Sequence, residues 1–230
     1  MFFWDPTFVL LIPGIIIAAW AQMKVSSTFD KYYRVRAVSG VTAAQAARRI
    51  LNQKGLDDVT VEVIPGKLSD HYDPRAKALR LSEQVYHSSS LAAIGVAAHE
   101  AGHAMQHDEG YVPLSIRASL VPVAQFGSSA AWILLLLGLL LGFPGLAQIG
   151  VYAFAGVVLF QLVTLPVEYN ASSRALALLE GGGYLSREEI PQTKKVLDAA
   201  ALTYVAAALM GILQLIRLLV ISGMLGRRDE

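Results

Sequence analysis

The chain has 230 residues, 54% of them hydrophobic and only 16% charged, against about 25% charged in an average soluble domain. That apolar excess is too large for one soluble core and points to a membrane protein. A formal net charge of +1 argues against a nucleic-acid partner, and the absence of cysteine excludes disulfides and thiolate metal sites, so any metal must use His and carboxylates.

The first predicted element is the apolar run FVLLIPGIIIAAWAQM, from about Phe8 to Met23, near the roughly 20 residues that a span needs. Its flank MFFWDP lacks the positive charge of a signal peptide, so residues 1–23 read as a retained anchor. Residues 24–118 then read as a soluble segment. In TAAQAARRILNQKGLDD, Thr42 is placed to cap a helix, Gln45 stands three residues on and Gly55 closes it. VTVEVIPG and KALRLS alternate apolar and polar side chains and read as strands. KALRLS is a candidate edge strand that an extended peptide would join. Between them KLSDHYDPR reads as a polar loop, and a helix containing AAHEAGHAMQHDEG follows.

Two further spans, about Val121 to Leu141 and Leu146 to Pro166, are joined by the tight turn GFPG and form a membrane hairpin within residues 119–167. Residues 168–201 read as a second soluble segment. Its first helix, EYNASSRALALLE, opens at Glu168 and breaks at GGG, and the chain resumes at SREEIPQTKKVLDAA, where Ser186 and Glu189 have capping-box spacing. The last span and tail take residues 202–230, with Arg217 inside the span and expected to snorkel toward a membrane face. The expected fold is therefore a mainly α membrane protein: about four transmembrane helices and a small α+β zincin-like domain. Lys24, Lys31, Arg34, Arg36, Arg117, Arg174, Arg187, Lys194 and Lys195 fall on one side of the four spans, which the positive-inside rule makes cytoplasmic. The N-terminal flank carries only Asp5, and Arg227 and Arg228 depart from the rule.

Three of the five histidines, His99, His103 and His107, stand four residues apart. His99 and His103 share a helix face, and that spacing lets two imidazole nitrogens reach one zinc at about 2.0–2.1 Å. Glu100 stands beside the pair, where a carboxylate takes a proton from water. H-E-x-x-H on a helix is a metalloprotease signal for this reason. His107 lies about 12 Å along the axis from His99 and cannot share the ion; it is read as solvent-facing or as a partner that orients a ligand. A third ligand must come from elsewhere: Glu168, which the hairpin returns to the side of the His helix, or His71, Asp70 or Asp73 of the DHYDP loop. His71, Tyr72, Arg75 and Arg174 are the available types of transition-state donor.

At AAHEAGHAMQH, DHYDPRAKALRLS and LPVEYNASSRAL the chain resembles the membrane-anchored neutral zinc metallopeptidases of bacteria, and the resemblance covers nearly its whole length. More distantly it is similar to the heat-shock and CAAX-processing membrane zinc proteases, whose third ligand begins an E-x-x-x-D pattern after a membrane hairpin. That resemblance implies one Zn2+ per chain held by His99, His103 and Glu168, a peptide or membrane-protein substrate, and a multi-pass place in the bacterial inner membrane with the site on the cytoplasmic side. It departs at Ser172, which stands where the distant relatives carry Asp; Ser172, Asn170 or Arg174 is left to orient the ligands. Two rivals remain. One is an intramembrane zinc protease of the site-2 type, with Asp198 as its only candidate further ligand. The other is a non-catalytic scaffold around structural zinc, which would need four protein ligands. The sequence sets no oligomeric state.

Overall fold

The computed structural model describes residues 6–67 and 69–224. The flank with Asp5, and Arg227 and Arg228 in the tail, lie outside the described residues. A 3-10 turn, Pro6–Leu11, leads into α1 (Ile12–Tyr33). There follow α2 (Ala43–Gln53), β1 (Thr60–Ile64), β2 (His71–Asp73), β3 (Ala78–Ser82), the short α3 (Glu83–Tyr86), α4 (Leu91–Asp108), α5 (Val112–Leu140), α6 (Pro144–Gly181) and α7 (Ile190–Ile221). The protein is mainly α, and four helical stretches among the described residues are long and apolar enough to cross a membrane: Pro6–Tyr33, Val112–Leu140, Pro144–Gly181 and Ile190–Ile221.

These helices outrun the apolar runs that reveal them, because a helix ends at a backbone break and not where hydropathy falls. α1 continues through KVSSTFDKYY, which has neither Gly nor Pro. Glu168 does not open a helix. Pro166 lies inside α6, so Glu168 sits in the interior of one helix that began at Pro144. A proline removes one ladder bond, and burial of Thr164, Val167, Glu168 and Ala171 around Pro166 keeps the helix continuous. The segment after GGG shows the reverse. Glu189 accepts from the Ser186 N–H at 2.7 Å, half of the expected capping box, yet regular helix starts only at Ile190.

The chain divides into two compact units. One takes α1 up to Gln22, Ser115–Leu165 and α7 from Thr203. Its buried centre is Ala131 and Leu135 of α5, Ala147, Val151, Phe154 and Val158 of α6, and Leu218 of α7. Arg217 is held inside this unit: its Nε donates to Thr7 Oγ1 at 3.2 Å, and its guanidinium lies 5.7 Å from both the Phe8 and Trp132 ring centres.

The second unit takes Met23–Leu114 and Pro166–Leu202. α4 runs through its middle, burying Leu91, Ile94, Ala97, Ala98 and Ala101 against Ile50 and Leu51 of α2, Leu79 and Leu81 of β3, Ala175 and Leu179 of α6, and Val196 and Leu197 of α7. Each large apolar side chain buried there contributes about 1.5–3 kcal/mol. α2 begins as its sequence predicts: Thr42 Oγ1 accepts from Gln45 N–H, Gln45 Oε1 accepts from Thr42 N–H, and Gly55 follows the helix at φ +73°. Such a cap contributes about 1 kcal/mol.

The sheet has the order β1-β3-β2, with β1 parallel and β2 antiparallel to β3. KALRLS therefore forms the central strand, which corrects the expectation of an edge. Ala78, Leu79, Leu81 and Ser82 are all buried, as a strand flanked on both sides requires. The edge beside it is β2, made from the DHYDP stretch that reads as loop. Three residues are too short to display a period of two. Long-range bonds hold them: Asp70 Oδ1 accepts from Ser82 N at 2.7 Å, and Arg80 donates to Asp73 at 2.6 Å.

Candidate metal centre

α4 begins cleanly, with Ser90 Oγ accepting from Ala93 N–H at 3.2 Å, and regular helix then carries His99 and His103 onto one face. Their ring centres are 4.7 Å apart. α6 brings up Glu168, which is 2% exposed. Its Oε2 lies 3.2 Å from His99 Nε2 and 3.6 Å from His103 Nε2. One ligating atom from each of the three residues falls within 4.8 Å of the others. A tetrahedron with zinc bonds of about 2.0–2.1 Å has edges of roughly 3.3 Å. The two Glu168 separations lie on either side of that value and the third pair falls within 4.8 Å, so the donor set suits a single zinc ion.

The approach of α6 to α4 depends on Gly102, between the two histidines. A Cβ at this position would sit 2.7 Å from the Ala171 carbonyl oxygen, a backbone atom that cannot swing aside. Gly102→Ala is expected to cost about 1–3 kcal/mol of stability and to weaken metal binding, because relief of the clash moves residue 171, and Glu168 with it, off the histidines. Denaturant unfolding and zinc competition on the detergent-solubilised protein would measure both.

Each ring nitrogen that faces away from Glu168 has a partner. His99 Nδ1 lies 3.1 Å from Ser172 Oγ, so Ser172, a neutral group, reaches the ring that it was expected to orient. His103 Nδ1 lies 2.9 Å from Gln106 Oε1. Gln106 is fully buried, and its Nε2 donates to the Val167 carbonyl at 2.8 Å and to Asn170 Oδ1 at 2.9 Å. Sequence reasoning missed Gln106. Its i,i+3 spacing from His103 is the signal that would have found it.

Glu100 is buried beside the histidines, and its Oε2 accepts the Tyr72 N–H at 3.0 Å. Burial pushes its carboxyl above the usual carboxylate range, against the pull of His99 and His103. The Tyr72 phenol, raised chiefly by burial as well, meets His107 Nδ1 at 3.0 Å. His107 is exposed and outside the three-residue group.

The remaining candidates are engaged or remote from the group. Asp70 holds Ser82, while Asp73 holds Arg80 and accepts the Arg75 and Ala76 N–H groups. His71 is exposed, with Nδ1 2.8 Å from the Ser69 carbonyl. Arg75 is exposed. Arg174 donates through Nε to Asn170 at 2.7 Å and pairs with Glu109 at 2.7 Å, which makes it a brace between α6 and the end of α4. Asp198 is paired with Lys194 on α7.

A family model described as "Putative neutral zinc metallopeptidase" matches residues 7–223. The chain is 49% identical over 221 residues to the "Putative membrane protease YugP" of Bacillus subtilis (strain 168), an alignment covering 96% of this chain and 97% of that one. No solved structure matches the chain.

Proposed function

The chain belongs to the neutral zinc metallopeptidase family, and from that premise we propose that it is a membrane-embedded zinc endopeptidase. Its substrates are peptide bonds of membrane-associated or cytoplasmic-side proteins. The carrying observation is the convergence of His99 Nε2, His103 Nε2 and Glu168 Oε2 at separations that suit one tetrahedral ion. We assign one zinc per chain to these three ligands, which leaves a fourth position open.

Zinc bound there supplies Lewis acidity, polarising a carbonyl and lowering the pKa of water toward about 7. The protein's part is proton transfer and orientation. Glu100, buried next to both histidines, takes the proton of the attacking water and delivers it to the leaving amine. The Tyr72 N–H on its Oε2 holds that carboxylate in place. Ser172 and Gln106 orient the two imidazoles. Stabilising the developing oxyanion would fall to His71, Tyr72, Arg75 or Arg174, of which Tyr72 already meets His107 and Arg174 already meets Asn170 and Glu109.

Specific observations weigh against both rivals. α4 is not among the four helices apolar enough to cross a membrane, which disfavours chemistry in mid-bilayer, and Asp198 is outside the metal-compatible group. Among the described residues that group has three members, one short of a closed structural zinc site. The membrane assignment follows from the hydropathy of residues 1–23, 119–167 and 202–230. The placing of segments 24–118 and 168–201 on the cytoplasmic side of an inner membrane follows from the basic residues within them.

The test is cleavage of a denatured protein or a peptide library by the purified, detergent-solubilised chain. A chelator is expected to abolish cleavage, and one equivalent of zinc to restore it. Zinc-loaded, folded protein that leaves every such substrate intact would remove the peptidase reading.

A further inference from the structure

We infer that Gln106 is a positioning residue for the metal centre: it is the last link of a hydrogen-bond chain that starts at Arg174 and forces the proton of His103 onto Nδ1. The inference rests on the reading above that His103 is a metal ligand.

A guanidinium only donates. Arg174 Nε lies 2.7 Å from the Asn170 side chain, which must therefore turn its oxygen toward Arg174. Gln106 meets that same oxygen at 2.9 Å and the Val167 carbonyl at 2.8 Å. Both are acceptors, so Gln106 presents its NH2 to them and its Oε1 to the other side. There Oε1 meets His103 Nδ1 at 2.9 Å. An amide oxygen only accepts, so Nδ1 carries the hydrogen. The neutral ring then keeps its lone pair on Nε2, the atom that lies 3.6 Å from Glu168 Oε2. Four polar groups thus decide, before any metal arrives, that His103 presents its metal-binding nitrogen to the site.

Full burial makes the device stiff, since Gln106 has no exposed surface through which water would satisfy the opposite orientation. The far end of the chain is anchored by the Arg174–Glu109 ion pair at 2.7 Å. His99 is held differently. Its Nδ1 partner at 3.1 Å is the Ser172 hydroxyl, which both gives and takes hydrogen bonds, and its Nε2 lies 3.2 Å from Glu168 Oε2, which only accepts. The two rings therefore differ: Gln106 presets His103 with hydrogen on Nδ1, while in the metal-free protein Glu168 draws the hydrogen of His99 to Nε2.

The experiment is 15N NMR of histidine-labelled, metal-free full-length protein in detergent, above the pH range in which imidazole is charged, together with zinc affinity by chelator competition. His103 is expected to show a single tautomer with hydrogen on Nδ1. Gln106→Met is expected to lose that preference and about 10–100-fold in zinc affinity, the usual cost of losing a partner that orients a ligand. Arg174→Met should lose less, because the Val167 carbonyl still holds the Gln106 amide. A wild-type His103 with its hydrogen on Nε2, or a folded Gln106→Met that binds zinc like the wild type, overturns the inference. If Gln106→Met fails to fold, the wild-type tautomer decides alone. Neither readout needs turnover: the expected tautomer in a protein that cleaves no peptide would retire the peptidase and keep this chain of bonds.

Discussion

Glu100→Gln is expected to lower peptide hydrolysis by about 10²–10⁴-fold, the range general acid–base catalysis supplies, while zinc content stays near one per chain. The substitution preserves size and keeps an oxygen to receive the Tyr72 N–H. It removes the one carboxylate that is buried beside the histidines without facing both of their Nε2 atoms. An amide cannot accept the water's proton at any ordinary pH, so the loss should fall on kcat, with KM little changed. Equal cleavage by the variant, with zinc verified in both proteins, would rule out Glu100 as the base. Inactivity of both proteins at full zinc occupancy would favour the scaffold.

Glu168→Gln is expected to abolish hydrolysis through the metal. The carboxylate is almost fully buried, and a single oxygen of it faces both imidazoles. Exchange for a neutral amide removes the negative charge of the proposed ligand set, and the loss of zinc affinity should exceed the roughly 100-fold limit that applies to partners outside the coordination sphere. Glu168→Asp tests geometry at constant charge. Shortening by one methylene withdraws the oxygen by about 1.5 Å, well beyond the roughly 0.2 Å tolerance of a zinc–ligand distance. Both variants should release zinc to a mild chelator that the wild type resists. Retention at wild-type affinity in either would move the third ligand elsewhere.

The contrast between these two carboxylates bears on what can be read from a chain. Glu100 is legible because its partners are one residue before and three after it on a helix, where spacing alone dictates geometry. Glu168 is 65 residues beyond His103, and spacing says nothing of that meeting. Residues 168–180 read as a separate helix that opens at Glu168, whereas α6 runs on from Pro144 through Pro166. Loop reasoning failed in the same way at His71–Asp73, where pairing with β3 makes a strand from a polar stretch. Ser172 is legible as a departure from the pattern of the distant relatives, yet its approach to His99 depends on the packing of two helices.

By itself the sequence determined what depends on near neighbours and composition: four apolar stretches long enough for lipid, the capped start of α2, the strand character of β1 and β3, and two imidazoles with a carboxylate on consecutive turns of α4. These are decided within a few residues by helical and strand periods and by the cost of exposing apolar surface to water. The tertiary structure alone decided that β3 is central, that Glu168 comes to the two imidazoles, and that Gln106 meets His103. Each depends on which distant segment occupies a given space, and that is set by the packing of the whole unit around α4, where Gly102 leaves just enough room for the backbone of α6.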